Sequence, residues 1–179
     1  MPKIYTRTGD HGFTKRLDGE HVPKNDIIVE LNGIIDELNC LLGIIRSYNK
    51  DLKIEKILKK FQSELFIVGV EVSSNGKSNK ISYLNLEHIN QIEKNIDWIE
   101  KKLDPLTHFI LPAGNIISSY LHYARAKSRS IERKISEIKL KWIEDGHLQA
   151  YFNRLSDVLF VMARYVNKKN NVRDEIWNN

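Results

Sequence analysis

Residues 28–45, IVELNGIIDELNCLLGII, decide the fold. Ile28, Leu31, Ile34, Ile35, Leu38, Leu41, Leu42 and Ile45 recur there in steps of three and four. That spacing lines them along one stripe of a 3.6-residue period and predicts an amphipathic helix of several turns. Working outward, the same pattern returns from Leu52 through Ile57, Leu58, Phe61, Leu65, Phe66 and Val68, and fails in the polar loop Ser73 to Lys80. A third helix uses Leu86, Ile89, Ile92, Ile96, Trp98, Ile99 and Leu103 and stops before Asp104-Pro105. A fourth starts near Asn115, after Leu111-Pro112-Ala113-Gly114, and is read as running about thirty residues to Asp145-Gly146. The fifth carries Leu148, Tyr151, Leu155, Leu159, Phe160 and Ala163 and ends near Asn167. Proline occurs only at Pro2, Pro23, Pro105 and Pro112, so none of these helices is interrupted.

Five long amphipathic helices with short connections predict an all-α fold, a five-helix antiparallel bundle. The chain reads as one domain over 1–179: a loop segment over 1–25, the bundle over 26–170 and a tail over 171–179. In the first segment Lys3-Ile4-Tyr5-Thr6 has strand character and Thr8 to Thr14 is turn-rich. A bundle does not need that segment for its core, which leaves a loose tail or a functional loop.

The 179 residues are 41% hydrophobic and 28% charged, the balance of a globular domain able to bury a core without staples. Apolar runs such as Leu41 to Ile45 fall far short of the roughly 20 residues that span a bilayer. Arg7, Asp10, Lys15 and Arg16 interrupt any signal-peptide core, so a cytoplasmic, soluble product with no membrane partner is expected. One cysteine excludes an internal disulfide framework, and Cys40, among Leu38, Leu41 and Leu42, reads as a buried structural thiol. The net charge of +5 favours anionic partners without naming one.

Several chemistries drop out on spacing. Asn75-Gly76-Lys77-Ser78 resembles the end of a P-loop, but Glu71 stands where the first glycine is required and no strand precedes it. Glu144-Asp145-Gly146-His147 has the Glu-x-x-His spacing of di-iron bundles, without a second copy, at a helix stop. The six histidines form no His-x-x-x-His pair, and Gly-x-Ser-x-Gly is absent.

What remains is a ladder. Arg125, Arg129 and Arg133 fall at i, i+4 and i+8 on the fourth helix and stack along one face, where like charges repel by a few tenths of a kcal/mol per pair. The ladder is either a solvated stripe neutralised by Glu132 and its neighbours or a clamp for a polyanion, since arginine forks match phosphate oxygens. The N-terminal segment adds Thr6, Thr8 and Thr14 as hydroxyl donors, Gly9 and Gly12 as points of close backbone approach, and the charges of Lys15 and Lys24. It is either a polar turn or a phosphate nest.

Four ordered segments resemble the PduO-type ATP:cob(I)alamin adenosyltransferases: Lys3 to Thr14, Gly33 to Asn39, Phe109 to Gly114 with Leu121 to Arg133, and Phe152 to Tyr165. The resemblance implies a ferritin-like homotrimer with active sites between subunits. ATP would be held by Thr6, Arg7, Thr8, Gly9, Thr14, Lys15 and Lys24 of one subunit and by Arg129, Glu132, Arg133 and Asn153 of its neighbour. Arg125 would face the triphosphate, and Asp36 would pair with Arg129. Phe109 would exclude the lower axial ligand of cobalt, with Phe160 a further cobalamin wall.

The implied reaction moves the 5′-deoxyadenosyl group of ATP to cob(I)alamin and releases triphosphate, with Mg2+ carried by the phosphates and no metal site of the protein's own. Reduced cobalt is itself the nucleophile, so the missing serine, cysteine and histidine chemistry is no obstacle. A reductase supplying cob(I)alamin and an adenosylcobalamin-dependent mutase are the implied partners. The sequence departs from the family where Ser130 follows Arg129 in place of a second arginine, with Lys127 the expected compensator, and where Ala113 replaces a glycine. Two competitors stand beside the enzyme: a non-catalytic carrier of ATP or adenosylcobalamin with the same fold, and a basic nucleic-acid binder, which a compact ladder facing Asp36 disfavours.

Overall fold

A computed structural model describes residues 3–5, 7–77, 84–138 and 146–177. Two short strands, β1 (Phe13–Lys15) and β2 (His21–Pro23), precede five helices: α1 (Ile27–Tyr48), α2 (Leu52–Ser73), α3 (Leu86–Glu100), α4 (Ile116–Glu137) and α5 (His147–Lys169). Four of the helices begin where a short polar side chain takes up an orphan N–H: Asp26, Asp51, Asn85 and Asn115 each accept from the backbone two residues on. α5 instead begins at Gly146, whose φ of 73° is the left-handed region that glycine enters without a Cβ penalty.

The helices neighbour one another in the spatial order α2–α1–α4–α5–α3. α5 buries residues over most of its circumference, from Leu148 to Asn167, because it packs on both α4 and α3. Ala124 and Ser128 are fully buried on α4, and Ser128 Oγ donates to the Phe152 carbonyl at 2.7 Å. Small residues let two helix axes approach there. Lys127 pairs with Glu37, and Lys134 with Glu30 at 3.0 Å, fastening α4 to α1. None of the described helices is long and apolar enough to cross a membrane.

Four expectations are corrected. Residues 3–5 form no strand, and Thr6 lies outside the described residues; the strands that form are β1 and β2, paired antiparallel with Thr14 opposite Val22 around a turn whose Gly19 has φ 92°. α4 ends at Glu137, short of the expected length, because Ile138 is extended and buried; residues 139–145 are outside the described set. Cys40 is exposed, since two residues of helix turn it away from the stripe of Leu38 and Leu42. The stretch read as a tail folds back: the Leu111 N–H donates to Glu175 O at 2.8 Å, the Trp177 N–H donates to Phe109 O at 2.9 Å, and Ile110 bridges Ile176.

Candidate functional site

The arginine ladder forms as the spacing predicts, but its three members sit in different surroundings. Arg125 is half-buried and its Nε has no partner. Burial, then the neighbouring Arg129, holds its guanidinium below the ordinary value. Arg129 is exposed and makes no hydrogen bond or ion pair among the described residues. Arg133 donates to Ser130 Oγ at 3.1 Å, and Ser130 Oγ donates to Ala126 O at 3.2 Å. Glu132 does not neutralise the ladder; its Oε1 accepts from Asn153 Nδ2 at 2.9 Å. A ladder that makes no salt bridge among the described residues is suited to an anion.

Arg125 and Arg129 open into a cleft of about 860 Å³ between α3, α4, α5 and the segment before α4. Phe109, Phe160, Leu106 and Ile96 give it an apolar side; Glu93, Asp97, Glu100 and Asp157 give it an acidic rim. Phe109 is 79% exposed, its ring meeting that of Trp177 edge-on at 6.5 Å. Phe160 meets His122 at 5.9 Å in a similar geometry. His122 is buried with neither ring nitrogen partnered, and burial, then Arg125, lowers its pKa, so it is a neutral imidazole. Burial pushes the Asp157 carboxyl above its ordinary range against the pull of Arg154 and Arg129. One cleft thus offers unpaired cations and a hydrocarbon wall, which suits a ligand that is a polyanion at one end and a flat apolar-edged body at the other.

The N-terminal residues assemble elsewhere. Lys15 and Asp36 line a groove of about 540 Å³ between the hairpin, α1 and α2. The hairpin is held by Arg16, which pairs with Asp18 at 3.0 Å, with Glu20, and with the α1 cap Asp26 at 3.8 Å. Its turn is tied to the end of α2, the Leu17 N–H donating to Ser73 O at 3.0 Å. Thr14 is half-buried in β1, and Lys24 lies against Gly9, where an added Cβ would stand 3.3 Å from its side chain. Arg7 takes a left-handed φ of 61° and stacks over Tyr5 at 5.4 Å. Among the described residues no group of three or more His, Cys, Asp or Glu converges to hold a metal.

Within one chain, then, Arg125, Arg129, Phe109 and Phe160 come together, while Lys15 and Asp36 line a separate groove. Within one chain Asp36 lies exposed in the hairpin groove and Arg129 in the cleft, and among the described residues no ion pair joins them. Lys127, the expected compensator for the missing arginine, pairs with Glu37 on α1 in this chain. Sequence reading missed Arg154, which lines the cleft and donates to Glu93 at 2.9 Å and to Asn153 at 2.5 Å. Its position beside Asn153 was the available signal. It also missed Asn167, a polar residue in phase with the apolar stripe of α5.

A helical bundle with a cationic and aromatic cleft on one flank and a glycine-bearing hairpin on the other defines a class of ligand-binding bundle proteins. The chain belongs to the cobalamin adenosyltransferase family, whose sequence profile matches residues 4–166. A corrinoid adenosyltransferase of Citrobacter freundii is 36% identical over 166 residues, covering 92% of this chain and 94% of that one. The human corrinoid adenosyltransferase MMAB is also 36% identical, over 99% of this chain and 74% of its own. Among solved structures, a phenylalanine-to-histidine variant of a PduO-type ATP:corrinoid adenosyltransferase from Lactobacillus reuteri, complexed with cobalamin and ATP, superposes with a TM-score of 0.89 at 29% identity. That match covers 99% of this chain and 97% of the other.

Proposed function

We infer that this protein is an ATP:corrinoid adenosyltransferase: it moves the 5′-deoxyadenosyl group of ATP to the cobalt of cob(I)alamin and releases triphosphate. The observation that carries the reading is the cleft in which the unpaired Arg125 and Arg129 share one space with Phe109 and Phe160. The electron pair of Co(I) forms the bond to C5′ as the C5′–O bond breaks, and the triphosphate leaves with the electrons of that C5′–O bond. No side chain has to give or take a proton, which agrees with a cleft whose histidine is neutral and shielded. The protein's tasks are alignment and stabilisation of the leaving charge. Arg125 and Arg129 meet the triphosphate, and ATP enters as its magnesium complex, the ion carried by the phosphates. Phe109 keeps a lower axial ligand off cobalt, with Phe160 the wall beside it.

The two half-sites of the chain support a homotrimer in which the hairpin of one subunit covers the arginine cleft of the next. Thr6, Arg7, Thr8, Gly9, Thr14, Lys15 and Lys24 then reach ATP from one side, and Arg129, Glu132, Arg133 and Asn153 from the other. Asp36 meets Arg129 across that boundary instead of within a chain. We place the enzyme in the cytoplasm, between a reductase that delivers cob(I)alamin and a mutase that uses the product.

The test is anaerobic. Protein, ATP, magnesium and reduced cobalamin are mixed, and loss of the Co(I) absorbance is followed together with free triphosphate. Turnover that requires ATP and falls at least a hundredfold in Arg129→Ala is expected, the scale of losing one preorganised donor to a developing anion. ATP or adenosylcobalamin binding without turnover would overturn the transferase in favour of a carrier.

A further inference from the structure

We propose that Asn167 is a positioning residue that locks the Phe109 ribbon to the first turn of the arginine helix. The proposal rests on the transferase reading, in which Phe109 and the arginines act on one substrate pair. Asn167 is 1% exposed near the end of α5, where it meets the segment before α4 and the returning C-terminal segment together. Its Oδ1 accepts from the N–H of Asn115, the cap of α4, at 3.0 Å. Its Nδ2 donates to Ala113 O at 3.2 Å and to Asp174 Oδ1 at 3.4 Å.

Asp174 is in turn held by Arg164 Nε at 2.8 Å, and three residues on Trp177 pairs with Phe109 by backbone and ring. Gly114, at φ 113°, is crowded against the same amide: a Cβ there would lie 2.4 Å from Asn167 Oδ1. One side chain therefore joins the α4 cap, the turn before it and the returning C-terminal segment. Because the Phe109 ring is so exposed, that segment is what sets its place. The amide is suited to the task, since only a group with one acceptor and two donors satisfies all three partners.

The experiment uses the intact protein with Asn167→Ala and, independently, Gly114→Ala, which strains the same contact from the other side. Hydrogen exchange is read at the Leu111 and Trp177 amides, and kcat and KM are measured for ATP and for the corrinoid. The lower-ligand state of bound Co(II)cobalamin is followed by its absorption and magnetic spectra. Loss of two or three modest hydrogen bonds predicts roughly ten- to hundredfold faster exchange at those two amides and a comparable fall in kcat. The signal of cobalamin without a lower ligand should shrink in parallel, while the KM for ATP stays within about twofold and the α2 amides keep their protection. Wild-type exchange at Leu111 and Trp177 in both variants overturns the proposal. Should Asn167→Ala fail to fold, Gly114→Ala alone decides. Should the wild-type protein show no transfer at all, the transferase reading fails, and the exchange rates still decide the role of Asn167.

Discussion

Asp36→Ala tests the composite site most sharply. Asp36 is exposed on α1 and has no ion pair among the described residues, so its removal should change folding stability by no more than about 0.5 kcal/mol. If it meets Arg129 of a neighbouring subunit, the lost charge pair is partly desolvated and worth about 2–4 kcal/mol, or roughly 30- to 1000-fold in kcat/KM. Arg129→Ala breaks the same site from the other side. In the proposed homotrimer, co-expressing the two variants would make mixed trimers in which each site takes Asp36 from one subunit and Arg129 from the next. Of the four equally frequent combinations one has both residues, so activity should recover to about a quarter of wild type. The assay is transfer activity of the gel-filtered mixed trimer against each variant alone. A mixture no faster than the sum of its parts would refute a site shared between subunits.

Three further outcomes are expected. Phe109→Ala should leave Tm within about 1–2 °C of wild type, because the ring is 79% exposed, while lowering adenosylation at least tenfold; a calorimetric scan and the transfer assay separate the two. Lys127→Ala should leave ATP affinity unchanged by direct titration and cost at most about 1 kcal/mol of stability, since Lys127 serves a partly exposed pair with Glu37. Glu64 is buried and accepts from Tyr151 Oη at 2.8 Å, yet burial holds its carboxyl above the ordinary value of 4.5. A raised carboxyl means the folded chain binds the proton more tightly than the unfolded one. Its contribution to stability is full below that ordinary value and is lost as pH rises through the raised one. Glu64→Gln should flatten Tm against pH over that interval, and an unchanged slope would count against the burial argument.

Helices were legible because a helix is a local object. The stripe from Ile28 to Ile45 and the caps at Asp26, Asp51 and Asn115 lie within a few residues of what they determine. The ladder of Arg125, Arg129 and Arg133 was legible for the same reason, since i, i+4 spacing implies a shared face. Cys40 was misread because its neighbours in sequence belong to the stripe and it does not. Strand character at Lys3 to Tyr5 came to nothing among the described residues, whereas Phe13–Lys15, which begins in the stretch read as turn-rich, has a partner strand across the Gly19 turn. The termination of α4 at Glu137 followed from where Ile138 is buried, a matter of packing that the periodicity does not encode.

By itself the sequence determined the helical class, the register of each buried stripe, the arginine face and, through four ordered segments, the family. Only the tertiary structure decided which residues meet: that Phe109 and Phe160 share a cleft with Arg125 and Arg129, that Lys127 is committed to Glu37, and that Asp36 stands apart. It also decided that Asn167 ties the α4 cap to the returning C-terminal segment. The physical reason is range. Periodicity and capping act over three or four residues, while a cleft is made by side chains dozens of residues apart, brought together by burial that carries no sequence address.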